Sequence, residues 1–146
     1  MTIAAILMQK GADVVSIPAD ATVSDANAAL AQHRIGALPV IGEDGAVRGI
    51  FSERDMVRLL AEGGADATAL LATPVASVMT AEPLTATRDD SILAALSLMT
   101  HRRIRHLPIV EQGRLIGIVS IGDLVKHRID RIEADAAAMR DYIQQA

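Results

Sequence analysis

The sequence contains no cysteine and no tryptophan, and it has a single tyrosine and a single phenylalanine. The missing thiols exclude disulfides, thiolate zinc sites and cysteine nucleophiles together. Aromatics at 1% and a net charge of −4 provide neither the stacking platforms nor the cationic surface that nucleic-acid binding needs, so no nucleic-acid partner is expected. No run of 18 or more apolar residues occurs, so neither a bilayer span nor a membrane partner is expected. The early stretch Ile3–Met8 has no basic residue before it and no cleavage-type end, which argues against a signal peptide; the cytoplasm is the expected compartment. Gly-x-Gly-x-x-Gly and Gly-Lys-Ser/Thr are both absent, which removes the Rossmann and P-loop modes of holding a nucleotide.

What is present is a chain of 146 residues, 51% of them hydrophobic. Much of that excess is alanine, which favours close-packed helices. The length suits one domain, or two halves that share a core.

An internal repeat organises the chain. Ile35-Gly36-Ala37-Leu38-Pro39-Val40-Ile41 is echoed by Ile104-Arg105-His106-Leu107-Pro108-Ile109-Val110 at an offset of 69 residues. The same offset carries Val23 to Ile92, Ala26 to Ala95, Leu30 to Met99 and Arg34 to Arg103. One residue is lost in the turn that follows, and the register resumes with Gly49-Ile50-Phe51-Ser52 opposite Gly117-Ile118-Val119-Ser120. Each copy is predicted to begin with a short strand, at Val14–Ile17 and near Pro83–Ala86. A helix follows, capped by Thr22 in one copy and by Asp90 or Ser91 in the other. Next come two strands around a glycine-containing turn, Ala37–Ile41 with Val47–Phe51 and His106–Val110 with Leu115–Val119. A second helix closes each unit, at Glu53–Ala61 and from Gly122 onward. The predicted class is α/β, with the order β-α-β-β-α twice. Repeat one spans 13–62, a linker 63–78, repeat two 79–126 and a C-terminal helix 127–146. A unit of about 55 residues cannot bury both faces of its sheet. Two copies packed sheet to sheet about a pseudo-two-fold axis can, and they leave two clefts where they meet.

Four features carry candidate chemistry. Ser52-Glu53-Arg54-Asp55 and Ser120-Ile121-Gly122-Asp123 each match a helix capping box. Each also places a carboxylate where it can accept hydrogen bonds from paired ribose hydroxyls, with the serine and the helix N-terminus facing a sugar or phosphate. The run His101-Arg102-Arg103-Ile104-Arg105-His106 is basic. Its first three residues suit a solvated helix end, whereas Arg105 and His106 enter a strand and should point to opposite faces. Copy one has Gly36-Ala37 there, so the cleft around Asp123 is expected to hold phosphates better. Leu-Pro inside each middle strand marks a place where the ladder is interrupted. Finally, Val125, Ile129, Ile132, Ala136, Met139 and Ile143 form a seam of coiled-coil spacing, expected to pack on a second subunit or on Ile3–Met8. The four histidines show no metal-ligand spacing, so no metal site is expected.

These doubled strands and both Ser-x-x-Asp sites resemble a tandem CBS-domain pair, the Bateman module named for cystathionine β-synthase. The resemblance runs from about Asp13 to Val125. It implies a non-enzymatic regulatory module that binds AMP, ADP, ATP or NAD between the repeats, and a flat homodimer acting on a regulated protein not named by the sequence. It assigns ribose contacts to Asp123 and Asp55, with Ser120 and Ser52 beside them. In the γ subunit of AMP-activated protein kinase a His-Arg pair before Leu-Pro contacts phosphates, and the reversed Arg105-His106 is similar in charge. Ser16 and Thr85, at the ends of the first strands, are further adenine or ribose candidates. The rival readings are a ligand-free interaction module, in which Ser-x-x-Asp only caps helices, and a nucleotide hydrolase, for which the sequence shows no nucleophile or metal cluster.

Overall fold

The computed structural model describes residues 1–11, 13–63 and 66–146. Its elements run α1 (Ile3–Lys10), β1 (Ile17–Pro18), α2 (Val23–His33), β2 (Ala37–Ile41), β3 (Val47–Ser52), α3 (Glu53–Glu62), α4 (Ala67–Ala72), β4 (Thr80–Ala81), α5 (Ile92–Arg102), β5 (His106–Glu111), β6 (Arg114–Ser120) and α6 (Ile121–Gln145). A single 3-10 turn, Val75–Ser77, lies between α4 and β4. The helix starts are chemically specified. Thr22, Ser52 and Ser120 each accept from the backbone N–H three residues on, and Asp25, Asp55 and Asp123 return the bond to the cap's own N–H. Each such cap contributes about 1 kcal/mol. At α5 it is Ser91 that caps, through the Ala94 N–H, while Asp90 accepts from Thr87.

The paired strands form as predicted, β2 against β3 and β5 against β6, both antiparallel. Both ladders shift register just past the proline, between Val40 and Ile41 and between Ile109 and Val110. The parallel β1 ladder begins at Val40, so Pro39 owes it no N–H.

The opening strands differ from expectation. In copy one the strand is Ile17–Pro18, because Val14 and Val15 line a cavity instead of extending a ladder. In copy two the predicted strand at Pro83–Ala86 is reduced to one bridge, Ala86 with Ile109. Pro83 has no N–H, and Glu82 sits at φ 48°, so the chain turns there. The strand that does form, β4, pairs with β3 of the first half. The linker also holds α4, which was not predicted; Asp66 caps it through the Ala69 N–H.

Two hydrophobic cores result, and each borrows from outside its own repeat. The first gathers Ile17, Val23, Ala26, Leu30, Leu38, Val40 and Phe51 around Val75, a residue of the linker. The second gathers Ile92, Ala95, Met99, Leu107, Ile109, Val119 and Leu124 around Ile3 and Ile6 of α1. Backbone bonds fix both insertions. Val75 N–H donates to Ala21 and Val23 N–H to Thr73, while Ile3 N–H donates to Asp90 and Ile92 N–H to Met1. The halves meet along β2 and β6, and the Leu115 N–H reaches the Gly45 carbonyl across the junction.

Candidate functional site

The repeat places Gly36-Ala37 and Arg105-His106 at equivalent positions, and the fold brings these dipeptides together at the middle of the molecule. A Cβ on Gly36 would lie 3.3 Å from His106 Cε1 and 3.4 Å from Glu53 Oε1. The absent side chain is therefore what lets the imidazole lie across this strand. Gly36, Ala37 and His106 line both of the cavities that flank the centre.

Each cavity draws its residues from both copies in a crossed arrangement. The first, of 360 Å³, combines Ser52 and Asp55 from copy one with Arg103 and Arg105 from copy two. The second, of 340 Å³, combines Ser120 and Asp123 from copy two with Arg34 from copy one. Arg34 and Arg103 end α2 and α5 in the left-handed conformation, each at φ 54°. Glycine or asparagine is the usual residue there, and a larger side chain costs roughly 1 kcal/mol. In both copies the strained arginine lines the opposite copy's Asp cavity.

The carboxylates are held differently. Asp55 is largely buried; one oxygen accepts from the Ser52 N–H at 2.9 Å and its hydroxyl at 3.1 Å, and the other faces Arg58 at 3.3 Å. Arg54, Arg103 and Arg105 form no ion pair among the described residues, so three guanidinium groups are available to an incoming anion, with Glu53 and Glu82 as the uncompensated acids on the wall. Asp123 accepts from the Ser120 N–H at 2.8 Å and, on the same oxygen, from Lys10 Nζ at 2.7 Å. Lys10 also donates to the Ile118 carbonyl at 3.0 Å, so it lies strapped across that cavity. Burial works to raise the Asp123 pKa, but the Lys10 hydrogen bond, the Ser120 N–H and the Lys10 charge outweigh it and hold the carboxyl below its ordinary value. His106 also lies below its ordinary value, that of a solvated imidazole. Burial lowers its pKa, and Glu53 and Asp123 only partly restore it against Lys10 and Arg105.

A family model described as CBS domain matches residues 3–62 and 75–130. The chain belongs to the CBS-domain family. The crystal structure of the CBS-domain protein ATU1752 from Agrobacterium tumefaciens is 38% identical, with a TM-score of 0.80 over 88% of this chain and 99% of that one. The AMP complex of the CBS-domain protein PAE2072 from Pyrobaculum aerophilum is 27% identical, with a TM-score of 0.73 over 84% of this chain and 89% of that one. The mitochondrial CBS-domain protein CBSX3 of Arabidopsis thaliana is 38% identical over an alignment of 129 residues that covers 86% of this chain and 61% of that protein's length.

Within the CBS pair, the structure gathers Ser52, Asp55, Arg105 and His106 into one cavity and Ser120, Asp123 and His106 into the other. This overturns the expected pairing of Arg105 with Asp123. Arg105 stays close to its own copy through its backbone, since its carbonyl accepts from the Ile121 N–H. The residue nevertheless lines the cavity of Asp55. Arg103, expected to face water at a helix end, lines that cavity too. Ser16 lies elsewhere, on a wide groove of 840 Å³ beside Arg88 and Arg114, and Thr85 is not among the residues lining either cavity of the CBS pair. Sequence reasoning missed Arg34 and Lys10. Arg34 carried a signal, since an arginine recurs at the end of both first helices, where glycine would be easier. Lys10 carried none, because its partner is 113 residues away.

Proposed function

We propose that this CBS pair is a regulatory module that binds an adenosine nucleotide (AMP, ADP, ATP or NAD) in its central cavities, acts by binding and not by catalysis, and works as a homodimer on a regulated protein. The cytoplasm is retained as the compartment. The observation that supports the reading most is the crossed cavity of Asp55. There a carboxylate suited to paired ribose hydroxyls stands beside three arginines free to meet phosphates, in a volume that suits a mononucleotide. The AMP carried by the P. aerophilum relative agrees with that chemistry. In this reading Asp55 and Asp123 accept from ribose hydroxyls, Ser52 and Ser120 keep them in place, and Arg105 with Arg103 meets the phosphate. His106 stands between both sites, able to feel either. The Asp123 cavity takes a ligand only after Lys10 releases its carboxylate.

A specific observation favours the rival of a ligand-free interaction module. Every Ser-x-x-Asp is already a complete capping box, and both carboxylates have a cationic partner. Calorimetric titration of the full chain separates the two. Binding of AMP, with adenosine much weaker and adenine weaker still, supports the sensor. No heat with AMP, ADP, ATP or NAD at millimolar concentration overturns it.

A further inference from the structure

Helix α6 runs without a break through residues 126 and 127 and projects beyond the body that anchors it. Leu124 and His127 are buried against that body; from Arg128 to the end, every residue except Ala137 is exposed. On the projecting part Ile129, Ile132, Met139 and Ile143 are 49%, 54%, 61% and 64% exposed. At about 100° per residue, this seam lies roughly 130° around the helix from Leu124 and His127. It therefore faces neither its own core nor α1. The predicted packing on Ile3–Met8 is not what forms, since Ile3 and Ile6 are spent in the second core. An apolar row on a free helix is costly to leave in water, so a matching surface that covers it would be stabilising.

The charges beside the seam say what that surface is. With Ile129, Ala136 and Ile143 as one set of seam positions and Val125, Ile132 and Met139 as the other, one edge carries Lys126, Glu133 and Arg140. The opposite edge carries Arg128, Asp135 and Tyr142. In a parallel, in-register pair each edge meets the other edge five residues further on. Arg128 then faces Glu133 of the other copy, and Asp135 faces Arg140 of the other copy, so symmetry makes four attractive pairs. In an antiparallel pair each edge meets itself. That sets Glu133 against Glu133, Asp135 against Asp135 and Lys126 against Arg140, all repulsive. Arg128, Glu133 and Arg140 form no ion pair among the described residues, and Asp135 has only an exposed contact with Arg131 at 3.7 Å.

We infer that α6 pairs with α6 of a second copy of this chain as a parallel, in-register two-stranded coiled coil over residues 125–143. This rests on the homodimer proposed above and gives it an orientation. Both copies must then project their bodies from the same end of the coil.

The chain has no cysteine, so single cysteines introduced into the full-length protein report the geometry cleanly. Residues 125 and 143 are about 27 Å apart along a helix, far beyond disulfide reach. In mild oxidant, Ile143→Cys should give a disulfide-linked dimer at least tenfold faster than Asp141→Cys, which lies on the outer face. Glu133→Arg should raise the dimer dissociation constant several-fold, and adding Arg128→Glu to it should restore the dimer. Light scattering that shows a dimer, with Ile143→Cys linking no faster than the control or only to Val125→Cys in a mixed sample, overturns the orientation and leaves the homodimer standing. A monomer at all concentrations tested overturns both.

Discussion

The two central cavities descend from one repeated unit and have nearly the same volume, yet they are prepared differently. At Asp55 the cations stand around the carboxylate without engaging it closely: three arginines on the wall, and Arg58 at 3.3 Å from outside. At Asp123 a lysine from α1 already occupies the oxygen, at 2.7 Å. The difference comes from what each half borrows. The second half receives a full helix, α1, whose last residue reaches the cavity; the first receives only a 3-10 turn around Val75, which ends too early to do so. Symmetry of sequence therefore yields one open and one strapped site.

The sharpest way to break the comparison is through the cores. Phe51 and Val119 are equivalent and both fully buried. Phe51→Ala should cost about 3–5 kcal/mol. Val119→Ala loses two carbons and should cost about 1.6 kcal/mol. If chemical denaturation gives equal losses, the halves are not packed as unequally as their side chains indicate. Next in size is the phosphate contact. Arg105→Ala should weaken AMP by about ten- to a hundredfold, as expected for a charged hydrogen bond of about 1.5–3 kcal/mol, and should leave adenosine almost unchanged. The same substitution at Arg34 should have the smaller effect on AMP. If calorimetry finds the reverse, the stronger phosphate site is the one at Asp123.

Smaller effects sharpen the picture. The lowered pKa of His106 means that the unfolded chain binds the proton more readily than the folded one. Stability is then full above about pH 6.5 and falls as pH drops through the window below it, down to the folded value. His106→Gln should flatten that part of the profile; an unchanged slope in thermal melts would point to another group. Lys10→Ala removes an exposed ion pair and should shift stability by less than about 1 kcal/mol. It should nevertheless improve adenosine binding at Asp123, read as a second titration step or a tighter one. Weaker adenosine binding there would mean that Lys10 holds the ligand rather than the empty site.

The repeat was legible in the sequence because its markers are local: Leu-Pro, the glycine turn, and Ser three residues before Asp. These fixed the paired strands β2–β3 and β5–β6, the helix starts and the capping boxes almost to the residue. The contents of each cavity were not legible, because they depend on which copy's side chains cross the centre. Arg105 is adjacent in sequence to its own Leu-Pro strand, and only the packing of the two copies along β2 and β6 puts it on the wall of Asp55's cavity. The first strands failed for a related reason. Val14–Ile17 has the β-branched composition of a strand, but the cavity wall competed for Val14 and Val15, and Pro83 with Glu82 diverted the second. Lys10 and α4 had no periodic signal to betray them.

The exchange of terminal pieces between the halves also sets a timetable for synthesis. Helix α1 leaves the ribosome well before β6 and α6, the surfaces that house it. At about 5–20 residues per second, the interval from residue 10 to residue 120 is roughly 5–20 s. During that time Ile3 and Ile6 have no home, whereas the first half completes itself once β4 has followed Val75 out. The nascent chain thus carries a finished half and a waiting helix, and the last strand to appear is the one that ends the wait.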